Sequence, residues 1–401
     1  VVQVAERPVS TTGPRGSGRR QARRRQIRRR RIALAIALVL VVFLGWLAIS
    51  LGSALMNPAL GTSLSARFAE WGRQHGLSGV ILWAERETYS PPPVGGKPPA
   101  GAIVAPKTGV SNVDSAVPHL APPAALTPQA SPPIAGEGQW APAGRQVHGI
   151  PAVYVTQMRP DAVHTSQVVG FAWMDTKLLR ATLYSGSIIP GGGPFTHTAP
   201  IPPSAANSLV AAFNSGFLMS SASNSGYYTD GRQIRPLQAG TASLVIYGDG
   251  TATVAQWGRD ATLTPNVVAV RQNLDLVVDH GRPVPGLSAA DNLKWGATLG
   301  GGAYVWRSGV GVTADGALVY VGGPSLSIVS LANLLATAGA VRGMELDINP
   351  DWVNFASYSP STSKGPASAT NGTDLLPTMV GQPNRYFESW WARDFFTLSA
   401  R

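Results

Sequence analysis

The sequence predicts an α+β fold with mixed or antiparallel β-sheets and flanking helices, preceded by one transmembrane helix and a proline-rich linker. Three observations predict it. Residues 32–56 are an uncharged apolar run directly behind an arginine-rich stretch. Residues 88–147 are dense in proline. Residues 148–401 alternate short apolar runs with Asp-Gly and Gly-rich turns and hold one clear amphipathic helix. Strands outnumber helices, a pattern of α+β rather than of regular βαβ alternation.

The chain has 401 residues, formal net charge +11, 44% hydrophobic and 13% charged residues, and no cysteine. That composition supports a core and excludes wholesale disorder. Zero cysteines exclude a disulfide scaffold, a Cys-ligated zinc and a thiol nucleophile. The charge is local: residues 1–31 carry eleven arginines against Glu6 alone. The rest is nearly neutral, so the basicity says nothing about a ligand.

About 20 apolar residues cross a bilayer as a helix, and residues 32–56 show no polar face. Arginines stay on the cytoplasmic side. Residues 1–31 therefore read as a basic cytoplasmic tail and residues 32–56 as a signal anchor. Asn57 onward is then extracytoplasmic, in a single-pass protein of the cell membrane. No small-x-small cleavage site stands near Ser53. The arginine arm reads as a topology signal with anionic-lipid contact, and nucleic acid is not expected as a partner.

Residues 57–87 form a juxtamembrane segment. Thr62 to His75 suits a short helix with Leu64, Phe68 and Trp71 at helical spacing, and Gly79 to Trp83 reads as a strand. Residues 88–147 hold thirteen prolines. Proline lacks a backbone donor and biases its predecessor to extended conformations, so this stretch reads as a semi-rigid spacer. Residues 148–401 form the folded domain. Strands are expected at Ala152–Met158, Val168–Asp175 and Ala181–Ile189. Asp-Gly or His-Gly turns then mark four hairpins, around 230–231, 249–250, 280–281 and 315–316. Ser330 can cap a helix carrying Leu331, Leu334, Leu335 and Ala338, which Gly339 ends. A strand follows at Met344–Ile348.

The chemistry concentrates in a few places. On a strand, Glu345, Asp347 and Asn349 share one face. Two carboxylates so spaced repel unless a cation, a shared proton or arginine offsets them. The plainer reading is a solvated polar face. Phe213-Asn214-Ser215-Gly216-Phe217 suggests a strand entering a tight turn with the Asn214 amide available to a polar group; a turn-forming Asn is the alternative. Trp257-Gly258-Arg259-Asp260 and Trp306-Arg307 each put an arginine fork beside a tryptophan, suiting phosphate or carboxylate and a sugar face. Either arginine could instead pair with a neighbouring acid such as Asp260. The six histidines lack metal-ligand spacing, and there is no P-loop, dinucleotide fingerprint or G-x-S-x-G elbow. Gly300-Gly301-Gly302 is only a flexible turn. Carboxylate oxygens suit Ca²⁺, but no loop motif demands it, and no other cofactor is expected.

Taken in order, these blocks resemble the phosphodiester glycosidase family over roughly Ala205–Arg401. The resemblance rests on Phe213–Phe217, on Gly226-Tyr227-Tyr228 with Asp230-Gly231, and on Trp306–Val312. It continues in the Leu331–Gly339 helix, in Glu345-Leu346-Asp347 and in Ala392-Arg393-Asp394-Phe395-Phe396. Where the family reads Asn-Leu-Asp-Gly-Gly-Gly-Ser, this chain reads Glu345-Leu346-Asp347-Ile348-Asn349-Pro350-Asp351. Asp347 is kept and the Gly-rich loop is replaced. The resemblance implies hydrolysis of a sugar 1-phosphodiester or related envelope glycan, with Asp347 and Glu345 in acid/base or electrostatic roles. Arg307 would meet the anion and Asn214 the sugar hydroxyls, with Gly216, Asn349, Arg259 and Asp260 also at the substrate. The alternative expectation is a non-catalytic envelope protein that binds or organises glycan polymers.

Overall fold

A computed structural model describes residues 17–105, 116–219, 225–290, 294–296, 302–362, 365–379 and 385–401. Part of the basic tail, part of the proline-rich stretch, and Gly300 and Gly301 lie outside the described residues. The chain divides into two units, Val1–Asn57 and Pro58–Arg401.

The first unit holds helix α1 (Ser17–Met56). Its apolar stretch is long enough to cross a membrane and is not buried against protein. It is a candidate membrane span or signal anchor.

The second unit begins with α2 (Leu64–Gln74), capped by Ser63, whose Oγ accepts a hydrogen bond from the Ala66 N–H. Helix α3 (Ser78–Thr88) follows. This corrects the strand expected at Gly79–Trp83. The Val-Ile-Leu run has strand propensity, but Ile81 is buried against Gly72 of α2, and that packing decides.

Three antiparallel sheets build the rest. The first orders β1 (Ala141–Val147), β2 (Ile150–Met158), β3 (Val169–Met174), β14 (Leu318–Leu326), β13 (Val305–Thr313), β15 (Ala340–Glu345), β11 (Leu276–Asp279) and β12 (Arg282–Pro283). The second orders β7 (Arg232–Arg235), β6 (Tyr227–Thr229), β10 (Val267–Gln272), β8 (Ala242–Tyr247) and β9 (Ala252–Gln256). The third orders β17 (Gly372–Asp374), β16 (Phe355–Tyr358), β5 (Leu209–Asn214), β18 (Phe395–Ala400) and β4 (Leu179–Tyr184). One core joins them through Val153, Met174, Phe213, Ile246, Tyr320, Met344, Phe355 and Phe396. All four expected hairpins form.

A short helix, α4 (Pro203–Ala206), precedes β5. Helix α5 (Ile328–Thr337) starts earlier than expected: Ser327 is the cap, and its Oγ accepts from the Ser330 N–H. Gly339 follows its end with φ +89°. The helix lies close on the first sheet because β13 and β15 present glycines there. A Cβ at Gly309 would stand 3.0 Å from Leu335 Cδ1, and one at Gly343 3.2 Å from the same atom.

The proline-rich stretch differs most from expectation. Its second half is not a spacer. It ends in β1, an edge strand of the first sheet, and upstream it is pinned to the domain. Arg159 donates from Nε to Glu137 Oε1 at 2.9 Å and from NH2 to Oε2 at 2.8 Å, with both residues buried. The same guanidinium reaches the Ala130 and Pro132 carbonyls, and the Leu120 N–H reaches Asp175 Oδ2 at 2.7 Å. Prolines need no donor, so side chains and isolated N–H groups make the attachments. Burial alone would raise the Glu137 carboxyl, but Arg159 and two backbone N–H groups together hold it below its ordinary value. Replacing Glu137 by alanine leaves Arg159 buried and unpaired. The expected cost is about 3–5 kcal/mol, read as a fall in denaturation midpoint; a spacer residue would cost nothing.

Candidate functional site

Strand ends from all three sheets meet where β5, β10, β13, β15 and β18 begin or finish. The Glu345–Asp347 segment is central. β15 ends at Glu345, but pairing with β13 runs on: Leu346 N donates to Ser308 O at 2.8 Å and Ser308 N to Asp347 O at 2.9 Å. Beyond the strand the chain turns, and Asp347 Oδ1 accepts from the N–H groups of Ile348 and Asn349 at 2.8 and 2.9 Å. The two carboxylates therefore take different partners.

Glu345 is fully buried and ion-paired with Arg307 through Oε1. In register, Gly309 lies opposite Glu345; it has no side chain, so the guanidinium two residues away can reach across the diagonal. Arg307 also donates to the carbonyls of Leu326 and Trp295. Both expectations for this pair are corrected. Arg307 is consumed by internal partners and does not face a bound anion, and Glu345 has no exposure to a substrate. Its Oε2 is buried without a hydrogen bond among the described residues. Burial pushes its carboxyl up to about 7, with Arg307 opposing.

Asp347 is 4% exposed. Burial raises its carboxyl, against the pull of Arg393 and of its two backbone donors. Both donors fall on Oδ1, and among the described residues no hydrogen bond engages Oδ2. Arg393 is half-buried, stacked with its guanidinium carbon 4.6 Å from the Trp352 ring centroid. Its NH1 is shielded from solvent and has no hydrogen-bond partner among the described residues. Beside it, Asp394 is buried and paired with Arg271 at 2.7 Å, and its Oδ1 has no partner among the described residues. Ser215 Oγ is a further buried hydroxyl without a partner among the described residues, and the Ser215 N–H reaches the Asp394 carbonyl.

Asn214 is not available as expected. Its Nδ2 donates to Ser308 Oγ at 3.0 Å, and its Oδ1 accepts from Tyr320 OH at 2.8 Å and Asn354 N at 3.1 Å. Ser308 Oγ in turn donates to the Asp347 carbonyl. Asn214 thus sets the Asp347 backbone through one hydroxyl. Gly216 makes room: a Cβ there would stand 2.8 Å from Asn273 Cγ. Asn273 clamps the site by donating to the carbonyls of Glu345 and Leu346 while accepting from Phe217 N. Arg259 and Asp260 are not brought here. They pair with each other, and Arg259 with Asp279, at the surface beside a different cavity of about 520 Å³.

The loop after Asp347 opens on a larger cavity of about 830 Å³. Ile348, Asn349, Asp351 and Trp352 form one wall, and residues of α2 and α3 face them. The α2 side is tied down where Thr62 Oγ1 donates to Asp351 Oδ1. Asn349 lines this cavity, its Oδ1 accepting from the Asp351 N–H. No group of three or more His, Cys, Asp or Glu side chains among the described residues is placed to hold a metal. Of the carboxylates considered for Ca²⁺, Glu345 pairs with Arg307, and Asp347 Oδ1 takes the N–H groups of Ile348 and Asn349.

Sequence reasoning passed over Arg271, Ser308 and the Arg393-Asp394 pair as site residues. The signal was there: a charged pair between Trp390-Trp391 and the apolar Phe395-Phe396 is out of place unless the charges are used.

No family model and no curated protein matches the sequence. Among solved structures, the fold is similar to the catalytic domain of zebrafish N-acetylglucosamine-1-phosphodiester alpha-N-acetylglucosaminidase auto-inhibited by its pro-peptide, at 15% identity and TM-score 0.40, over 65% of this chain and 87% of that one. It is also similar to a hypothetical protein from Synechocystis, at 12% identity and TM-score 0.34, over 68% and 64% of the two chains. A third is a putative exported protein from Burkholderia pseudomallei, at 14% identity and TM-score 0.26, over 58% and 74%.

Proposed function

We propose that the chain is a membrane-anchored glycosidase whose domain faces away from the cytoplasm and hydrolyses a sugar 1-phosphodiester or a related envelope glycan. The observation that carries this reading is that Asp347, a buried carboxyl raised by its burial, stands within electrostatic reach of Arg393, whose NH1 has no hydrogen-bond partner among the described residues. Cleavage of the anomeric C–O bond passes through an oxocarbenium-like state. Arg393 takes up the charge left on the departing phosphate, in a site where burial strengthens the interaction. Asp347 holds a proton on Oδ2 for the leaving oxygen, or as carboxylate steadies the ring. Glu345, Arg307, Asn214, Ser308 and Asn273 are positioning residues that fix the Asp347 backbone.

One observation favours the non-catalytic alternative: of the two carboxylates at the end of β15, Glu345 is held in a buried ion pair with Arg307. A full-length preparation assayed against α-glucosyl and α-N-acetylglucosaminyl 1-phosphodiesters decides between them. Sugar release that Arg393→Met abolishes supports hydrolysis. Saturable binding without release selects the glycan-binding reading.

A further inference from the structure

The outer surface of α2 and α3 is unusually apolar for a soluble domain. Leu64 is 64% exposed, Phe68 42%, Val80 59% and Trp83 62%. These helices are also one wall of the 830 Å³ cavity, through Phe68, Ala69 and Ile81. The opposite wall presents Trp306, Ile348 and Trp352. Polar groups line the same cavity on both sides: Asn349 and Asp351 in the loop that leaves Asp347, and Glu70 and Arg73 on α2.

We propose that the substrate is lipid-borne: the cavity takes the aliphatic chain of a membrane-resident sugar phosphodiester, and its head group lies past the wall residues Ile348 and Trp352, which adjoin Asp347 in the chain and Arg393 in space. This rests on the glycosidase reading for the head group and goes beyond it in naming what the other ester carries. Cavities of ~300–1,000 Å³ lined mainly by apolar side chains are the size and kind that hold small organic ligands, and Leu60, Phe68, Ile81, Trp306, Ile348 and Trp352 give this one apolar surface for a chain. The exposed apolar residues of α2 and α3 then sit in the bilayer interface, where Trp and Phe are favoured. A soluble sugar phosphate explains neither the apolar walls nor the apolar outer face.

The test uses the full chain carrying Asp347→Asn, reconstituted in nanodiscs. The probes are the same sugar 1-phosphates esterified to a farnesyl or a diacylglyceryl chain with a terminal benzophenone. Photolabelling is expected on peptides containing Phe68, Trp306 or Trp352, with at least a tenfold loss on adding Ala69→Trp, which fills the cavity. Labelling by one probe and not the other tells an isoprenoid from a glycerolipid. In the active chain, kcat/KM is expected at least tenfold higher for the farnesyl ester than for the methyl ester. Label that lands elsewhere, or equal use of both esters, overturns the proposal and leaves the glycosidase reading standing. Cavity labelling with no hydrolysis of any ester retains the lipid site and removes the glycosidase reading. Should Ala69→Trp fail to fold, the label position in the chain without it decides.

Discussion

Replacing Asp347 with asparagine is expected to lower turnover of a sugar 1-phosphodiester by about 10²–10⁴-fold, the usual worth of a positioned acid or base, with the fold unchanged. Asparagine keeps an oxygen where Oδ1 accepts from Ile348 and Asn349, so the turn after β15 survives. It loses only the proton carried on Oδ2 or the charge beside Arg393. Because burial raises the Asp347 carboxyl, the folded protein binds this proton more tightly than the unfolded chain. Its stabilising contribution is complete at low pH and is lost as pH rises through the folded value. Asp347→Asn should therefore hold or slightly raise the melting temperature at neutral pH while activity collapses. A parallel loss of stability and activity would mean a structural role.

Arg307→Met is expected to cost about 3–5 kcal/mol of stability. It leaves Glu345 fully buried with no cation, in a site where one carboxylate oxygen already lacks a partner. The pH dependence carries the proof. With Arg307 present the Glu345 carboxyl stands at about 7, above its ordinary 4.5. Stability from this group is therefore full below the lower value and declines as pH rises toward the higher one. Without Arg307 the carboxyl rises further, and the decline extends to higher pH. Removing both charges with Arg307→Met and Glu345→Leu should recover most of the loss, since well-packed apolar replacements of buried pairs are often neutral. Urea denaturation of the wild type and these two variants across pH 5 to 8 measures this; equal midpoints for the single and double variants would contradict it.

The two cases show which features the sequence makes legible. Hairpins were readable because Asp-Gly turns between apolar runs act locally, and each expected one forms. The α5 helix was readable from its apolar face, though its cap was misplaced by three residues because two serines, Ser327 and Ser330, stand at its start. Asp347 could be found because acids at a strand end stand out. Strand alternation put Glu345 and Asp347 on one face, but β15 stops at Glu345 and a turn built on Oδ1 redirects Asp347. The partner of each carboxylate is a matter of long-range register. Arg307 reaches Glu345 because Gly309 lies between them, and Arg393 arrives from the far C-terminal end. Neither is visible in local pattern. The proline-rich stretch misled for a related reason: composition showed what its backbone could not do, while Glu137, Arg159 and Asp175 supplied what side chains could.

The most direct measurement is a crystal structure of the full-length Asp347→Asn variant with an intact sugar 1-phosphodiester. A phosphate oxygen within hydrogen-bond distance of Arg393 NH1, with the anomeric carbon facing residue 347, is the expected result. Phosphate bound instead beside Arg259, or a ligand that leaves Arg393 NH1 without a partner, would contradict the assignment of this site.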